Sequence, residues 1–162
     1  MNRRKKVPKY RGIFQLRSAS DLLAKARHDF ARLQSDPHDA YAAFDFFVTV
    51  RHIPDWLHPH DDAKVKALFS QNVELRICRH IADGAKHFEA TDERHIQVAN
   101  TSLSLGAWGK SWAKGAWKPG AWGDGLFVDL DPEDPDTQPL GIRISALKLA
   151  EKALVIVEKV VV

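Results

Sequence analysis

Apolar positions recur at helical spacing through most of this chain. In DLLAKARHDFARLQS, Leu22, Leu23, Ala26, Phe30 and Leu33 fall on one side, predicting an amphipathic helix from Ser20 to about residue 35. Ser18 or Ser20 is its expected N-cap. Pro37 suits the first turn of a second helix over roughly 38–57, whose main apolar face is Ala43, Phe46, Phe47, Val50 and Ile53. Pro54 is expected to kink that helix or end it near Arg51, leaving Asp55 and Trp56 on a separate turn. HPHDDAKVKALFSQ reads as a turn and a short helix, after which Asn72 is placed to cap a third long helix over about 73–89.

The pattern changes after Glu93. HIQVANTSLSL alternates in the strand manner, and GLFVDL (125–130) and LGIRI (140–144) read as two further short strands around the turn-rich DPEDPDTQP. Ser145 then caps a last helix, ALKLAEKALVIVEKV, with Leu147, Ala150, Leu154 and Val157 as its stripe. The expected fold is mainly α: a bundle of about four long helices with a small β-containing insertion before the C-terminal helix. Residues 1–17 form a basic tail, 18–162 a single domain, and 94–144 the β and loop insertion.

Charge sharpens this division. The tail carries Arg3, Arg4, Lys5, Lys6, Lys9, Arg11 and Arg17 with no acid, while the rest of the chain holds 17 cations against 21 acids. The formal +3 therefore belongs to the tail, which can contact phosphate by counterion release or can simply be solvated. No apolar core of a secretory leader follows it, and no run approaches the roughly 18 apolar residues of a membrane span. A cytoplasmic protein of bacterial type, without membrane contact, is expected. Cys78 is the only cysteine, which excludes an intramolecular disulfide and a multi-cysteine zinc site. Beside the apolar face of its helix, it reads as a small buried residue rather than a nucleophile.

The third helix concentrates the candidate chemistry. At about 100° per residue, Arg76, Arg79, His80, Asp83, Lys86 and His87 fall within about a third of the circumference. Val73, Ile77, Ile81 and Phe88 lie on the other side, with Gly84 among them where a neighbouring backbone can approach. One reading is a solvated face with i,i+4 pairs. The other makes Asp83 the partner that orients His87 for proton transfer, with Arg79 and Lys86 supplying positive charge for a phosphate or an oxyanion. In the second helix a polar stripe of Asp45, Thr49, His52 and Trp56 runs through aromatic surroundings, where buried polar groups need partners. If the two helices are neighbours, Asp45 and His52 face Arg79, Asp83 and His87, either across a cleft or in a network that only orients the helices.

An all-helical bundle carrying Arg79, the polar His80 and a downstream His87 on one late helix resembles the HEPN superfamily. Many members of that family are metal-independent RNA endonucleases of bacterial toxin and defence systems, with a motif of Arg, a polar residue and a His four to six residues on. Here seven residues separate Arg79 from His87, longer than the motif. The resemblance implies that Arg79 and His87 act on a scissile phosphate, usually in a dimer. FDFFVTVRHIPDW together with CRHIADGAKHF is also similar to a group of small uncharacterised bacterial proteins.

Two other segments invite function. GAWGKSWAKGAWKPGAWG interleaves Trp108, Trp112 and Trp117 with Lys110 and Lys114, and no acid occurs between Arg94 and Gly123. Such aromatic and cationic groups can stack bases, can pin a glycine-rich loop to the bundle, or can drive self-association. His58, His60, Asp61 and Asp62 can be a metal site or a plain turn, and the turn is the reading adopted. No phosphate-binding loop, dinucleotide fingerprint or serine-hydrolase elbow is present, so no cofactor and no metal is expected. The leading expectation is a helical protein that engages RNA and cleaves it through Arg79 and His87, helped by Asp83, Lys86 and His52. The alternatives are a non-catalytic module that binds a partner protein or a second copy of itself, and a single-stranded nucleic-acid binder.

Overall fold

The structure, a computed structural model, describes residues 12–87, 97–105 and 124–162. Among these residues there are five helices: α1 (Ala19–Ser35), α2 (Ala40–Leu57), α3 (Asp62–Gln71), α4 (Val73–His87) and α5 (Ala146–Val161). Three strands, β1 (Val98–Leu105), β2 (Asp124–Leu130) and β3 (Arg143–Ser145), form one antiparallel sheet in the order β1-β2-β3. The molecule is mainly α, with a small sheet before its last helix.

Local signals place most boundaries. Ser18 caps α1 through a reciprocal capping box, its hydroxyl accepting from the Asp21 N–H while the Asp21 carboxylate accepts from the Ser18 N–H. Asp39 caps α2, accepting from the N–H groups of Tyr41 and Ala42, so the helix starts at Ala40 and Pro37 is not in its first turn. Pro37 stands outside the helix, and its carbonyl accepts from the Leu126 N–H of β2 at 3.1 Å. Asn72 also departs from expectation. Its side-chain amide turns back to donate to the Leu68 carbonyl, closing the end of α3, while its backbone carbonyl takes the first α4 bond from Arg76. Pro54 does not end α2. The helix runs through to Leu57, because the interruption removes only one donor while Ile53 and Pro54 are buried and an Arg51–Asp55 ion pair spans the site.

The core gathers around α2, which touches all four other helices. Its face of Ala43, Phe46, Phe47, Val50 and Ile53 is buried as the periodicity predicts, and packs with Leu33 of α1, Leu75 and Ile77 of α4, and Leu149 and Val157 of α5. On α5 the buried set is Ala146, Leu149, Ala150, Ala153 and Val157, with Leu147 and Leu154 only partly covered. The stripe is rotated from the one expected, because α5 packs against the sheet as well as against α1, α2 and α4. Gly125 is required where β2 meets the α1–α2 corner. Its φ is +121°, and a Cβ there would stand 3.0 Å from the Pro37 carbonyl oxygen.

Candidate functional site

The polar residues of α2 and α4 separate into two clusters, and only one lies between those helices. The first joins α1 to α2. Asp29, on the apolar side of α1 between Ala26 and Leu33, is buried and receives Lys25 Nζ at 2.5 Å and the Thr49 hydroxyl at 3.2 Å. Lys25 also donates to Thr49 at 2.9 Å, satisfying the buried hydroxyl. One turn away, Arg32 donates to Asp45 at 2.7 Å and lies 3.6 Å from Asp39. The hydrogen bond to Asp45 raises the Arg32 pKa above its ordinary value. Asp45 and Thr49 thus turn towards α1, not towards Arg79 and His87. The physical reason is that α1 supplies both cations, at Lys25 and Arg32, and packs along α2.

The second cluster lies where α2, α3 and α4 meet. Arg51 of α2 donates to Asp55 at 2.7 Å, and its Nε lies 3.7 Å from Asp83 of α4. Arg79 reaches forward one turn, placing its own Nε 3.7 Å from the other oxygen of Asp83. Both guanidinium groups lie over the ring of Phe69 from α3, with Cζ 5.4 Å and 5.2 Å from its centroid. Phe69 is almost fully buried, while the arginine side chains are 19% and 24% exposed. The Nε of each arginine is out of contact with water and has no hydrogen-bond acceptor. Beyond this core, His52 stands half-exposed with Nδ1 3.6 Å from Asp55. Lys86 and His87 occupy the exposed last turn of α4.

The remaining candidates divide similarly. His80 is buried, and its Nδ1 accepts the Val98 N–H at 3.1 Å, fastening α4 to β1. Arg76 donates to Asp136 at 2.7 Å, tying α4 to the turn before β3. Cys78 is fully buried, and that burial pushes its thiol pKa up, so no thiolate is available. Asp61 caps α3, and the backbone N–H of Lys64 holds its carboxyl below the ordinary range. Trp108, Lys110, Trp112, Lys114 and Trp117 lie outside the described residues, as do Phe88 and residues 1–11 of the basic tail.

Sequence reasoning missed Arg51, Asp55 and Phe69. Arg51 and Asp55 carry an i,i+4 signature, which the expectation of a helix end at Pro54 concealed. Phe69 carries no signal of its own, since an aromatic in a short helix reads only as core. Among the described residues no group of three His, Cys, Asp or Glu is gathered to hold a metal ion, and no helix is long and apolar enough to cross a membrane. No family model, curated protein or solved structure matches this chain.

Proposed function

We propose that this protein engages RNA and cleaves it without a metal ion, in the manner of the HEPN proteins it resembles. The observation that carries this reading is Arg79, half-buried at the junction of α2, α3 and α4, leaning forward along α4 with its Nε lacking an acceptor. His87 lies eight positions after Arg79, which is about 12 Å of helix axis. Arg79 pairs with Asp83, which lies one turn nearer to Lys86 and His87 along α4.

In this reading His87 takes the proton of a ribose 2′-OH as the oxygen attacks the neighbouring phosphorus. The bond from phosphorus to the 5′-oxygen breaks, leaving a cyclic 2′,3′-phosphate, and the departing 5′-oxygen receives a proton from water or from His52. Arg79 and Lys86 stabilise the charge on the phosphoryl oxygens. Asp83 positions Arg79 in this scheme. The test is incubation of purified protein with single-stranded RNA in the presence of EDTA. Cleavage is expected, with His87→Ala and Arg79→Ala abolishing it while circular dichroism stays unchanged; intact RNA under these conditions defeats the reading.

A second reading, a non-catalytic protein-interaction module, is favoured by a different observation. A groove of about 280 Å³ opens between α2 and the sheet, with Phe44 and Leu103 at its edges, each about half-exposed. Exposed apolar side chains around a concavity suit a protein surface. Sedimentation at increasing concentration, comparing wild type with Phe44→Ser and Leu103→Ser, separates self-association through this groove from a monomer.

A further inference from the structure

We propose that Arg51 and Arg79 together form a binding site for a phosphate-type oxyanion, with Phe69 as its floor and Asp83 as the internal group that occupies it when the anion is absent. The site deepens the RNA reading by naming the group bound, but it stands on donor chemistry and requires no cleavage.

A guanidinium presents five N–H donors in a planar fork. Among the described residues, the two arginines make one hydrogen bond within this cluster, from Arg51 to Asp55. The contacts to Asp83 are ion pairs at 3.7 Å, too long for hydrogen bonds, and they reach Asp83 through Nε from both sides. One carboxylate therefore faces two cations without saturating either. Buried donors without acceptors are costly and uncommon in folded proteins. The Nε of Arg76 also lacks an acceptor, but Arg76 closes on Asp136 at 2.7 Å, whereas Arg79 meets its carboxylate only at 3.7 Å. Arg32–Asp45 and Arg76–Asp136, by contrast, each close directly at 2.7 Å.

Phe69 explains how two like charges are held together. Both cations lie over the ring, with Cζ 5.4 Å and 5.2 Å from its centre, so its π-electrons offset part of their repulsion. The arginines come from different helices, and an anion between them would join α2 to α4. A phosphoryl group suits this geometry because it has several charged oxygens and can accept from two forks at once, whereas a carboxylate has two. The anion can arrive as a free phosphate or as the phosphodiester of a nucleic-acid strand.

The experiment is thermal unfolding of the full chain in inorganic phosphate against sodium chloride at matched ionic strength. Phosphate is expected to raise Tm in a saturable manner, as a ligand specific to the folded state must. Arg51→Gln and Arg79→Gln should each weaken phosphate binding by roughly tenfold or more, the scale of hydrogen bonds to a charged group. Asp83→Asn removes the competing carboxylate and should bind phosphate more tightly than wild type. It keeps the proposal testable if an arginine variant does not fold. Addition of a single-stranded RNA oligonucleotide identifies the source: competition with phosphate assigns the site to a strand phosphodiester, and its absence assigns it to free phosphate. Phosphate binding without RNA cleavage would overturn the nuclease reading alone. The oxyanion site is overturned if phosphate gives no stabilisation beyond chloride in both wild type and Asp83→Asn. It is equally overturned if Arg51→Gln and Arg79→Gln leave the phosphate effect undiminished.

Discussion

Asp29 shows how much a single position can carry. Its spacing from Ala26 and Leu33 puts a carboxylate on the buried side of α1, a conflict legible in the sequence and resolved by Lys25 and Thr49. Replacing it with Ala leaves the Thr49 O–H without its acceptor and Lys25 without its carboxylate, and is expected to cost about 1–3 kcal/mol, measured by urea unfolding. A loss below about 0.5 kcal/mol would place Asp29 among ordinary surface positions. Asp21 gives a pH test. Its carboxylate accepts the Arg17 N–H at 2.9 Å and the Ser18 N–H and hydroxyl, and these bonds, the Arg17 one foremost, hold its pKa below the ordinary 3.8. A carboxyl with a lowered folded-state pKa contributes stability that is present above its unfolded value and lost as pH falls through the folded one. The stability difference between wild type and Asp21→Asn should therefore hold at neutral pH and shrink below about pH 3.8. A difference unchanged down to pH 2 would contradict the capping box.

Elements were more legible than their neighbours. Periodicity predicts all five helices and the buried face of α2, because a helix face follows from spacing alone. It does not say which helix meets that face, so Asp45, set against α4 in the sequence, meets Arg32 of α1, and Thr49 of the same stripe meets Lys25. Pro54 misled for a similar reason: its effect on isolated backbone is plain, but burial of the surrounding α2 face overrides it. Two of the places where the sheet meets the helical part each give a prediction. In His80→Ala the Val98 N–H loses its acceptor, and destabilisation of about 1–3 kcal/mol is expected. Native-state hydrogen exchange should register it as faster exchange at Val98, and unaltered exchange there would show that the imidazole is no fastener. Gly125→Ala combines a φ of +121° with a Cβ 3.0 Å from the Pro37 carbonyl, so Tm should fall. An unchanged Tm would mean that the corner between α1 and α2 yields freely.

At the scale of the whole molecule, α2 is the hub, and its two polar clusters serve different neighbours. The α1 side is closed by direct hydrogen bonds from Lys25 and Arg32. On the α4 side two arginines lie over Phe69, and the Nε of each has no acceptor. Half of that second site was legible, since the α4 wheel gathers Arg79, Asp83 and His87 on one face. The other half depends on tertiary placement, because Arg51 and Phe69 join it only when α2 and α3 fold against α4. The central claim is that this open cluster meets phosphate, and the most direct measurement is the salt dependence of binding to a single-stranded RNA oligonucleotide. Each phosphate contact on a single strand contributes about 0.7 to the slope of log affinity against log salt. Arg51→Gln and Arg79→Gln are each expected to weaken binding and to lower that slope by about this amount. Identical affinity and slope in wild type and both variants would show that RNA does not meet the arginine pair.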